Sequence, residues 1–472
     1  MSTPKFSVAV CGGGIGGLTA TIAITRLSRE NKDIRIDLYE AAQGFTEIGA
    51  GIGMWRRPWN VMKSLDLGGV LGKLCEIPAD EDKSYLSFQM RKSDQTKGIP
   101  YWDVIATMGN LTFHRADFID TLSEQIDPET TTAHFSKRLI SYTLPPKSSP
   151  PGPITLNFKD GTTSTCDVLV AADGIHSATR HTMLKLAAID AEADGSEEGR
   201  KAAEMLREMV DPVWSGSVAY RAVVPREKLE KINPNHSAMF MAQNYTGNSK
   251  HVIVFPISHG RLVNIVAFCS WPDKVGTIFE GKTVEDRSKE ELFELYAGWE
   301  EEVQQLLQCI EKPSRWAINA LKGLPISTHD RVALLGDAAH AMTPHLGSGA
   351  GQAIEDAYIL SALLAHPLTT LSTLPVALKV YEDVRLPHAN DVQRRSAENG
   401  HLYEFNDSRF AGLDATLGDD DAQLNEVDAG KLRDLGHAAT ENWKWAWTTD
   451  IEDDRNMAIA LLKERIEVKG SI

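Results

Sequence analysis

The sequence lacks the features that define membrane, secreted and metal-binding proteins. It has no uninterrupted apolar run of the roughly 18 residues that span a bilayer, and glycines interrupt the short apolar run near its start. Its five cysteines are scattered, and none forms a C-x-x-C pair. We therefore expect no membrane span, signal peptide, disulfide framework or metal site, and we predict a reducing, cytoplasmic environment.

An excess of basic residues is also missing. The chain has 65 acidic and 49 basic residues, for a formal net charge of −16. A sequence-independent nucleic-acid binder needs a basic face, so this class is excluded, although the charge identifies no partner. With 472 residues, the chain has room for two or three domains of about 150 residues each.

What is present begins with a strand, a glycine-rich turn and a helix. Residues 6–11 (FSVAVC) are predicted to form a buried strand, 18–28 a helix and 34–40 (IRIDLYE) a second strand, which together make a β-α-β unit. A G-x-G-x-x-G pattern, Gly12 to Gly17, lies between the first strand and the helix. This combination predicts an adenine dinucleotide as ligand, without choosing between FAD and NAD.

Each member of the pattern has a physical role. Gly12 permits the tight turn, Gly14 lets the backbone approach a pyrophosphate, and Gly17 allows close helix packing. Glu40 ends the second strand, where its carboxylate can accept hydrogen bonds from both ribose hydroxyls.

Two later segments repeat the arrangement of a strand that runs into a loop. In DVLVAADGIHSATR (167–180), an apolar strand ends at Asp173-Gly174, which is also a common turn without function. In RVALLGDAAHAMTPHLGSGAGQAIEDA (331–357), a strand precedes a glycine loop and a helix. The backbone amides of 347–351 can cap a phosphate or a flavin edge. Asp337 suits sugar or ribityl hydroxyls, or it caps a helix.

The remaining patterns predict further elements. Strands are expected at 153–159 and 166–172, and a largely antiparallel sheet at 217–224, 250–257 and 261–268. Helices are expected at 112–126 and 285–310, with an exposed helical insertion at 187–210 and mostly helix from 353 onward. A proline-rich surface turn is expected at 144–153 and an acidic break at 418–421. Trp443, Trp445 and Trp447 alternate, which favours an extended segment packed on the main body or on a dimer partner.

Taken in order, these segments resemble the group A flavoprotein monooxygenases, and within them the salicylate hydroxylase-like branch. The resemblance covers roughly residues 6–400 through VAVCGGGIGGLTA, TEIGAGI, HRADF, VLVAADGIHSATR, AYRAVV and ALLGDAAHAMTPHLGSGAGQAIEDA. It implies an α/β fold like that of para-hydroxybenzoate hydroxylase. The expected parts are a Rossmann-like FAD-binding domain (1–78, 109–184 and 316–370), a β-sheet-based substrate domain (79–108 and 185–315) and a helical C-terminal region (371–472).

The resemblance also implies which residues hold FAD. These are Gly12, Gly14, Gly17 and Glu40, then Arg115 of HRADF, Asp173 with Gly174, and Asp337 at the pyrophosphate and ribityl region, with Gly53 (in 50–53) and Gly349 and Ala350 (in 347–351) along the flavin ring. NADH or NADPH would be the co-substrate. The implied activity is hydroxylation of a small phenolic acid, with or without decarboxylation, through a flavin hydroperoxide and molecular oxygen.

Candidate substrate residues are Tyr220, Arg221, Phe255 and Pro344, and the catalytic candidates are Arg221 and His345. Arg221 can pair with a carboxylate or phenolate, or it makes a structural ion pair. On a strand, Tyr220 and Arg221 point to opposite faces. His345 relays a proton to solvent or only packs beside the flavin. Phe255 stands where relatives often carry Tyr. The segment 54–60 (MWRRPWN) departs from the family and either walls the substrate cavity or covers the surface.

Three other functions stay open at this point. One is hydroxylation or dearomatisation of a larger fungal-type phenolic polyketide. Another is a flavin-binding interaction protein without catalysis, and the last is a dehydrogenase that uses NAD at the first motif alone. The C-terminal helices are compatible with a homodimer.

Overall fold

The computed structural model describes residues 5–29, 33–45, 51–75, 80, 82–146, 152–413 and 426–470. Some expectations fall outside these ranges. They concern residues 46–50 of the TEIGAGI motif, residues 147–151 of the proline-rich turn and the acidic break at 418–421.

The strands of the described residues are, in chain order, β1 Phe6–Cys11, β2 Ile34–Tyr39, β3 Gly51–Met54, β4 Ser84–Lys92, β5 Ile99–Thr107, β6 Leu111–His114, β7 Thr131–His134, β8 Leu139–Thr143, β9 Ile154–Phe158, β10 Thr163–Cys166, β11 Val168–Ala171, β12 Val213–Pro225, β13 Gln243–Gly247, β14 Lys250–Ile257, β15 Leu262–Ser270, β16 Val284–Asp286, β17 Ser314–Ala320, β18 Thr328–His329 and β19 Val332–Leu334.

The α-helices of the same residues are α1 Ile15–Leu27, α2 Arg56–Ser64, α3 Gly68–Leu71, α4 Arg115–Ser123, α5 Ala178–Glu192, α6 Glu197–Glu208, α7 Arg226–Ile232, α8 Lys289–Leu295, α9 Glu301–Cys309, α10 Asp337–His340, α11 Gly349–Ala365, α12 Leu374–Tyr403, α13 Glu426–Trp443, α14 Trp445–Thr448 and α15 Ile451–Gly470.

The first sheet is mostly parallel and has the order β18-β19-β11-β1-β2-β7. β1 pairs in parallel with β2 and β11, which confirms the predicted β-α-β unit. Its central strands β1, β11 and β19 are buried on both faces, so they read as continuous apolar runs. One face packs on α1 and α11, and the other packs on α5 and the small β8-β9-β10 sheet. The glycine loop therefore lies at the carboxyl edge of a sheet whose centre is covered on both faces.

The second sheet has eight strands in the order β16-β17-β12-β15-β14-β13-β4-β5. Its pairs are antiparallel except for β13 with β4, which confirms the predicted antiparallel sheet. Because side chains alternate along β12, Tyr220 packs against the α8 and α9 side, while Ala219 and Arg221 face the opposite side. The second sheet thus presents one face to helices and one to a cavity.

Long helices complete the fold. α12 runs for 30 residues and continues through Pro387. Every helix of the described residues is too short or too polar to cross a bilayer.

Four expectations need correction. Residues 111–114 form strand β6, which pairs with β3, so the predicted helix at 112–126 is helical only over α4, Arg115–Ser123. Residues 187–210 are helical and mostly exposed as expected, in α5 and α6, but the exposure is not complete because Ala188, Ala203 and Leu206 are buried. The tryptophans of 443–447 lie in α13 and α14 rather than in an extended segment. β17 pairs with β12, so residues 316–320 lie in the second sheet and not with the FAD-binding part.

Candidate active site

The loops that follow β1, β11 and β19 meet at one edge of the first sheet. A cavity of about 510 Å³ is lined by residues of all three, including Gly14, Gly174 and Asp337. Gly12 adopts φ +111°, and a Cβ there would lie 2.1 Å from the carbonyl oxygen of Ala172. A Cβ on Gly17 would lie 1.9 Å from the carbonyl oxygen of Gly12. The roles predicted for these two glycines agree with the steric crowding at both positions.

Gly14 differs from its neighbours because, among the described residues and apart from its own chain neighbours, none lies within 4 Å of a Cβ built on it. It borders the cavity and precedes the first turn of α1. Helix α11 also begins at the cavity, with Gly349 and Ala350 in its lining. Two helix N-termini with open backbone amides are suited to bind an anion such as a pyrophosphate.

Glu40 holds the glycine loop from the end of β2. Its Oε2 atom accepts a hydrogen bond of 2.6 Å from the Gly13 N–H, and its Oε1 atom accepts one of 2.7 Å from the Ala42 N–H. A carboxylate has about four acceptor positions. Glu40 can therefore brace the loop and still accept from ribose hydroxyls.

Asp173 is engaged within its own turn. Its carboxylate accepts hydrogen bonds from the Ser177 hydroxyl and from the N–H and hydroxyl of Thr179. Gly174 lines the cavity, whereas Asp173 is absent from the lining. Buried Arg180 donates to the carbonyl oxygens of Ile175 and Ala338, so it ties the second turn to the third. The structure thus gives Asp173 a turn-stabilising role and leaves its predicted cofactor contact as a prediction.

The third turn is held by a residue that the sequence analysis missed. Gly336 has φ 58°, and its N–H donates to Asp356 Oδ2 at 3.0 Å. His340 Nε2 lies 2.6 Å from the same oxygen, and Arg385 Nε lies 2.9 Å from Asp356 Oδ1. Burial would raise the pKa of Asp356, but His340 and Arg385 hold it well below its usual range. Asp356 follows the loop on α11, and its helical spacing from Gly349 was the available signal.

The middle of the cavity is bordered by short glycine-rich backbone. Gly53 and Arg115 lie in its lining, from the ends of β3 and β6. Pro344, Gly349 and Ala350 line it from the loop that follows β19. The structure brings these predicted residues together in one lining, and their contacts with FAD and substrate stay predictions.

The second sheet closes the cavity with a mostly apolar wall, in which Ser87, Gln243 and Asn264 are polar and Arg221 is the cation among the described residues. Arg221, Phe255 and Trp316 all line it. The Arg221 guanidinium carbon lies 5.2 Å from the centroid of the Trp316 ring, a cation–π distance. Trp316 was missed because only the pairing of Ala219 with Trp316 across two strands brings it to this face.

Tyr220 does not belong to this wall, which corrects its assignment as a substrate residue. Its hydroxyl hydrogen-bonds Glu291 Oε1 on the helical side of the sheet. Burial and Glu291 raise the pKa of this phenol. The predicted alternation of Tyr220 and Arg221 is confirmed, and it is the reason that Tyr220 cannot reach the cavity.

His345 lines the cavity and is buried. Burial, His251 and His401 hold its pKa well below the usual range, so the ring is neutral near pH 7. A Cβ on Gly400 would lie 2.5 Å from the His345 ring, so α12 packs directly against it. His345 is therefore a fixed, neutral imidazole in the cavity wall.

The unusual segment at 54–60 serves several roles. Trp55 lines the cavity and contacts Trp443 and Trp447, with ring centroids 4.7 and 5.2 Å apart. Trp59 packs in the main core, and Arg57 forms a buried ion pair with Glu355 at 3.0 Å. Only Trp55 fits the predicted role of walling the cavity.

The fold and the site define a dinucleotide-binding flavoprotein. The glycine loop, the acid that ends β2 and two helix N-termini suit the adenosine diphosphate part of FAD. Glycine backbone and an apolar wall suit the flat flavin ring. Since the cavity reaches from Gly14 to Arg221, it offers space beside that ring for a second molecule.

Comparison with known proteins agrees with this class. A family model described as an FAD binding domain matches residues 121–396. The chain is 33% identical to a salicylate hydroxylase of Pseudomonas putida, over 96% of this chain and 93% of that one. It is 34% identical to FAD-dependent monooxygenase str9 of Strobilurus tenacellus, over 98% and 99%. A solved salicylate hydroxylase in complex with substrate superposes with a TM-score of 0.76 at 30% identity, covering 97% of this chain and 98% of that one.

The chain therefore belongs to the group A FAD-dependent monooxygenase family, with salicylate hydroxylases among its relatives. It is an oxidoreductase that uses FAD, and NADH or NADPH is the typical electron donor of the family. The similarity to these monooxygenases extends over nearly the whole length of both chains. It therefore favours an enzyme over a flavin-binding interaction protein or an NAD-dependent dehydrogenase.

Proposed function

We propose that this enzyme hydroxylates a small phenolic acid of the salicylate or hydroxybenzoate type. The observation that carries the proposal is Arg221, a guanidinium in the apolar wall of the cavity that also contains the glycine loop. An aromatic acid brings a flat ring for the apolar wall and a carboxylate for the cation. The similarity to a salicylate hydroxylase over nearly the whole chain supports the same substrate class.

Arg221 has two uses in such a reaction. It can bind a carboxylate through two parallel hydrogen bonds, which fixes the orientation of the ring. It can also stabilise a phenolate, which lowers the pKa of the substrate hydroxyl and makes the ring more electron-rich. Trp316 beside the guanidinium restricts its orientation.

The other cavity residues position and shield the reactants. FAD, when bound, supplies the oxygen-activating chemistry. Gly53, Gly349 and Ala350 would lie along its ring, while Asp337 and Arg115 would hold its more polar part. Phe255 and Trp316 keep water away from the substrate ring. Gly51 fits Phe255 closely, since a Cβ on this glycine would lie 2.5 Å from the phenyl ring.

The test is substrate-stimulated oxidation of NADH or NADPH by the purified holoenzyme, with identification of the aromatic product. A panel contains salicylate, the other monohydroxybenzoates and 2,4-dihydroxybenzaldehyde. We expect salicylate or a hydroxybenzoate to accelerate oxidation and to give a hydroxylated product. Acceleration by the aldehyde alone would replace the phenolic-acid proposal with the larger fungal-type phenol.

The variant Arg221→Gln tests whether the Arg221 guanidinium binds the substrate. Removal of one charge-assisted pair should raise KM for a hydroxybenzoate by about 10- to 100-fold. The FAD content should stay unchanged, because Arg221 lies on the second sheet, away from the glycine loop. Unchanged KM would make Arg221 structural.

Two finer expectations belong with this proposal. The cytoplasmic location is supported by five cysteines that are all free thiols. The homodimer stays a prediction, and light scattering of the purified enzyme would test it. The domain boundaries are likewise proposed, with the end of the substrate domain moved past β17.

A further inference from the structure

A second histidine stands behind His345, away from the cavity lining. The centroids of the His345 and His251 rings are 5.1 Å apart, and their planes make an angle of 59°. His251 lies on β14, where it pairs with Phe268 and stacks on its ring at 4.4 Å. Phe268 itself lines the cavity, so its strand neighbour His251 lies on the cavity-facing side of the sheet, just outside the lining.

His251 is joined to a buried carboxylate. Its Nδ1 atom lies 3.0 Å from Oε1 of Glu404, and the two side chains are 0% and 3% exposed. The other oxygen of Glu404 accepts a hydrogen bond from the Ser270 hydroxyl. Half-buried Asn406 donates to the same oxygen at 3.5 Å and leads toward the surface at Ser249. Hydrogen-bonding groups therefore continue from His251 to the edge of the protein.

Each of the two imidazoles has one buried nitrogen without a hydrogen-bond partner in the described part of the chain, Nδ1 of His345 and Nε2 of His251. A buried polar atom without a partner costs about 1–3 kcal/mol. A purely structural arrangement would carry this cost twice. One water that bridges the two nitrogens would satisfy both.

We propose that His251 and Glu404 form a proton relay that connects His345, and through it the phenol of the substrate, to the surface near Asn406. This proposal rests on the proposed hydroxylation of a phenol. The O–H bond of the phenol breaks, its electron pair stays on the oxygen, and the proton passes to His345. As it takes this proton, His345 gives the proton of its other nitrogen to His251, His251 gives its Nδ1 proton to Glu404, and Glu404 releases a proton to water at the surface near Asn406.

The packing around the relay fixes its first member. Gly400 of α12 presses against the His345 ring, and α12 ends beside Glu404. The same helix end therefore positions both ends of the relay. His251 and Glu404 are positioning and relay residues, since neither lines the cavity.

The experiment uses the holoenzyme and its variants His251→Gln and Glu404→Gln, with exposed His437→Gln as the matched control. Rapid mixing with salicylate, and separately with 2,4-dihydroxybenzaldehyde, follows formation of the bound phenolate by its ultraviolet absorbance. We expect the rate of phenolate formation to fall about tenfold or more in both relay variants. FAD content and the affinity for 2-methoxybenzoate, which has no phenolic proton, should stay within twofold of the parent.

Chemical rescue separates a relay from a packing role. Imidazole added to His251→Ala should restore phenolate formation, whereas toluene, a flat ring without a proton carrier, should not. Equal rates in parent and relay variants overturn the relay and leave the proposed function intact. A response to the aldehyde but not to salicylate overturns only the proposed substrate. No phenolate with either probe overturns both.

Discussion

At the scale of the residue, the glycine loop separates two roles that look alike in sequence. Gly17 has no space for a side chain, because its Cβ would meet the carbonyl oxygen of Gly12 at 1.9 Å. Gly14 has space, but that space is the cavity. Gly17 is therefore required for folding, and Gly14 for binding of the ligand.

Substitution of these glycines should therefore give different results. Gly17→Ala is expected to lower the free energy of unfolding by several kcal/mol, on the order of other overpacked core sites. Gly14→Ala should leave the stability of the apoprotein nearly unchanged and weaken FAD binding at least about tenfold. Denaturant unfolding and flavin titration measure the two effects, with Gly44→Ala as the control because its Cβ has open space. Equal loss of stability in both variants would contradict the distinction.

His388 provides a pH-dependent prediction. Burial, Arg385 and Arg57 lower its pKa to about 4, against Glu355, which raises it. Since the folded pKa lies below the unfolded value of about 6.5, the stabilising contribution is complete above pH 6.5 and is lost as the pH falls toward 4.

From about pH 7 to about pH 5, this one group should remove about 2 kcal/mol of stability. His388→Gln should reduce the acid-induced loss by that amount, as measured by urea unfolding at both pH values. The same pH dependence in the variant would show that His388 is not the group that titrates.

Residue roles set by local sterics could be predicted from the sequence, and roles set by distant packing could not. Gly12 and Gly17 follow from the turn they make. Arg221 was found because alternation on a strand is local, and the same alternation removes Tyr220 from the cavity. Trp316 and Asp356 need the pairing of strands and the packing of α11, which no local pattern contains.

At the scale of the element, buried charges join α11 to the helices around it. Glu355 of α11 accepts hydrogen bonds from Arg57 of α2 at 3.0 Å and from Arg385 of α12 at 3.0 Å. Arg57 also binds Asp454 of α15 at 2.6 Å. Since α11 begins at the cavity, this network fixes the helix that borders the flavin region.

Removing the central carboxylate should cost more than removing the outer one. Glu355→Gln leaves two buried guanidinium groups short of a partner and should lower the free energy of unfolding by about 3 kcal/mol. Asp454→Asn leaves Arg57 paired with Glu355 and should cost about 1 kcal/mol. Urea unfolding at neutral pH gives both values. A smaller loss for Glu355→Gln than for Asp454→Asn would contradict this arrangement.

The predictions of helices and strands succeeded where the hydrophobic periodicity and the turn residues that flank a segment agreed. The first β-α-β unit has both, and it was predicted within a few residues. The helix expected at 112–126 failed because pairing with β3 draws residues 111–114 into a strand. Trp443, Trp445 and Trp447 stand at alternating positions, yet Trp443 and Trp447 are four residues apart on helical turns and both contact Trp55.

At the scale of the whole molecule, function depends on how the two sheets face each other. The first sheet supplies the glycine loop and the turns that follow β11 and β19. The second sheet supplies Arg221, Phe255 and Trp316. The sequence predicts both sheets, but their relative position follows from tertiary packing, so the continuity of the cavity could not be derived from either part.

The central claim is that one cavity holds the flavin of FAD and, beside it, an aromatic acid bound by Arg221. The most direct measurement is the visible absorbance of the enzyme-bound flavin during titration with salicylate, in the parent enzyme and in Arg221→Gln of equal FAD content. We predict a saturable spectral change in the parent and at least about tenfold weaker binding in the variant. No spectral change, or the same affinity in both proteins, would contradict the account.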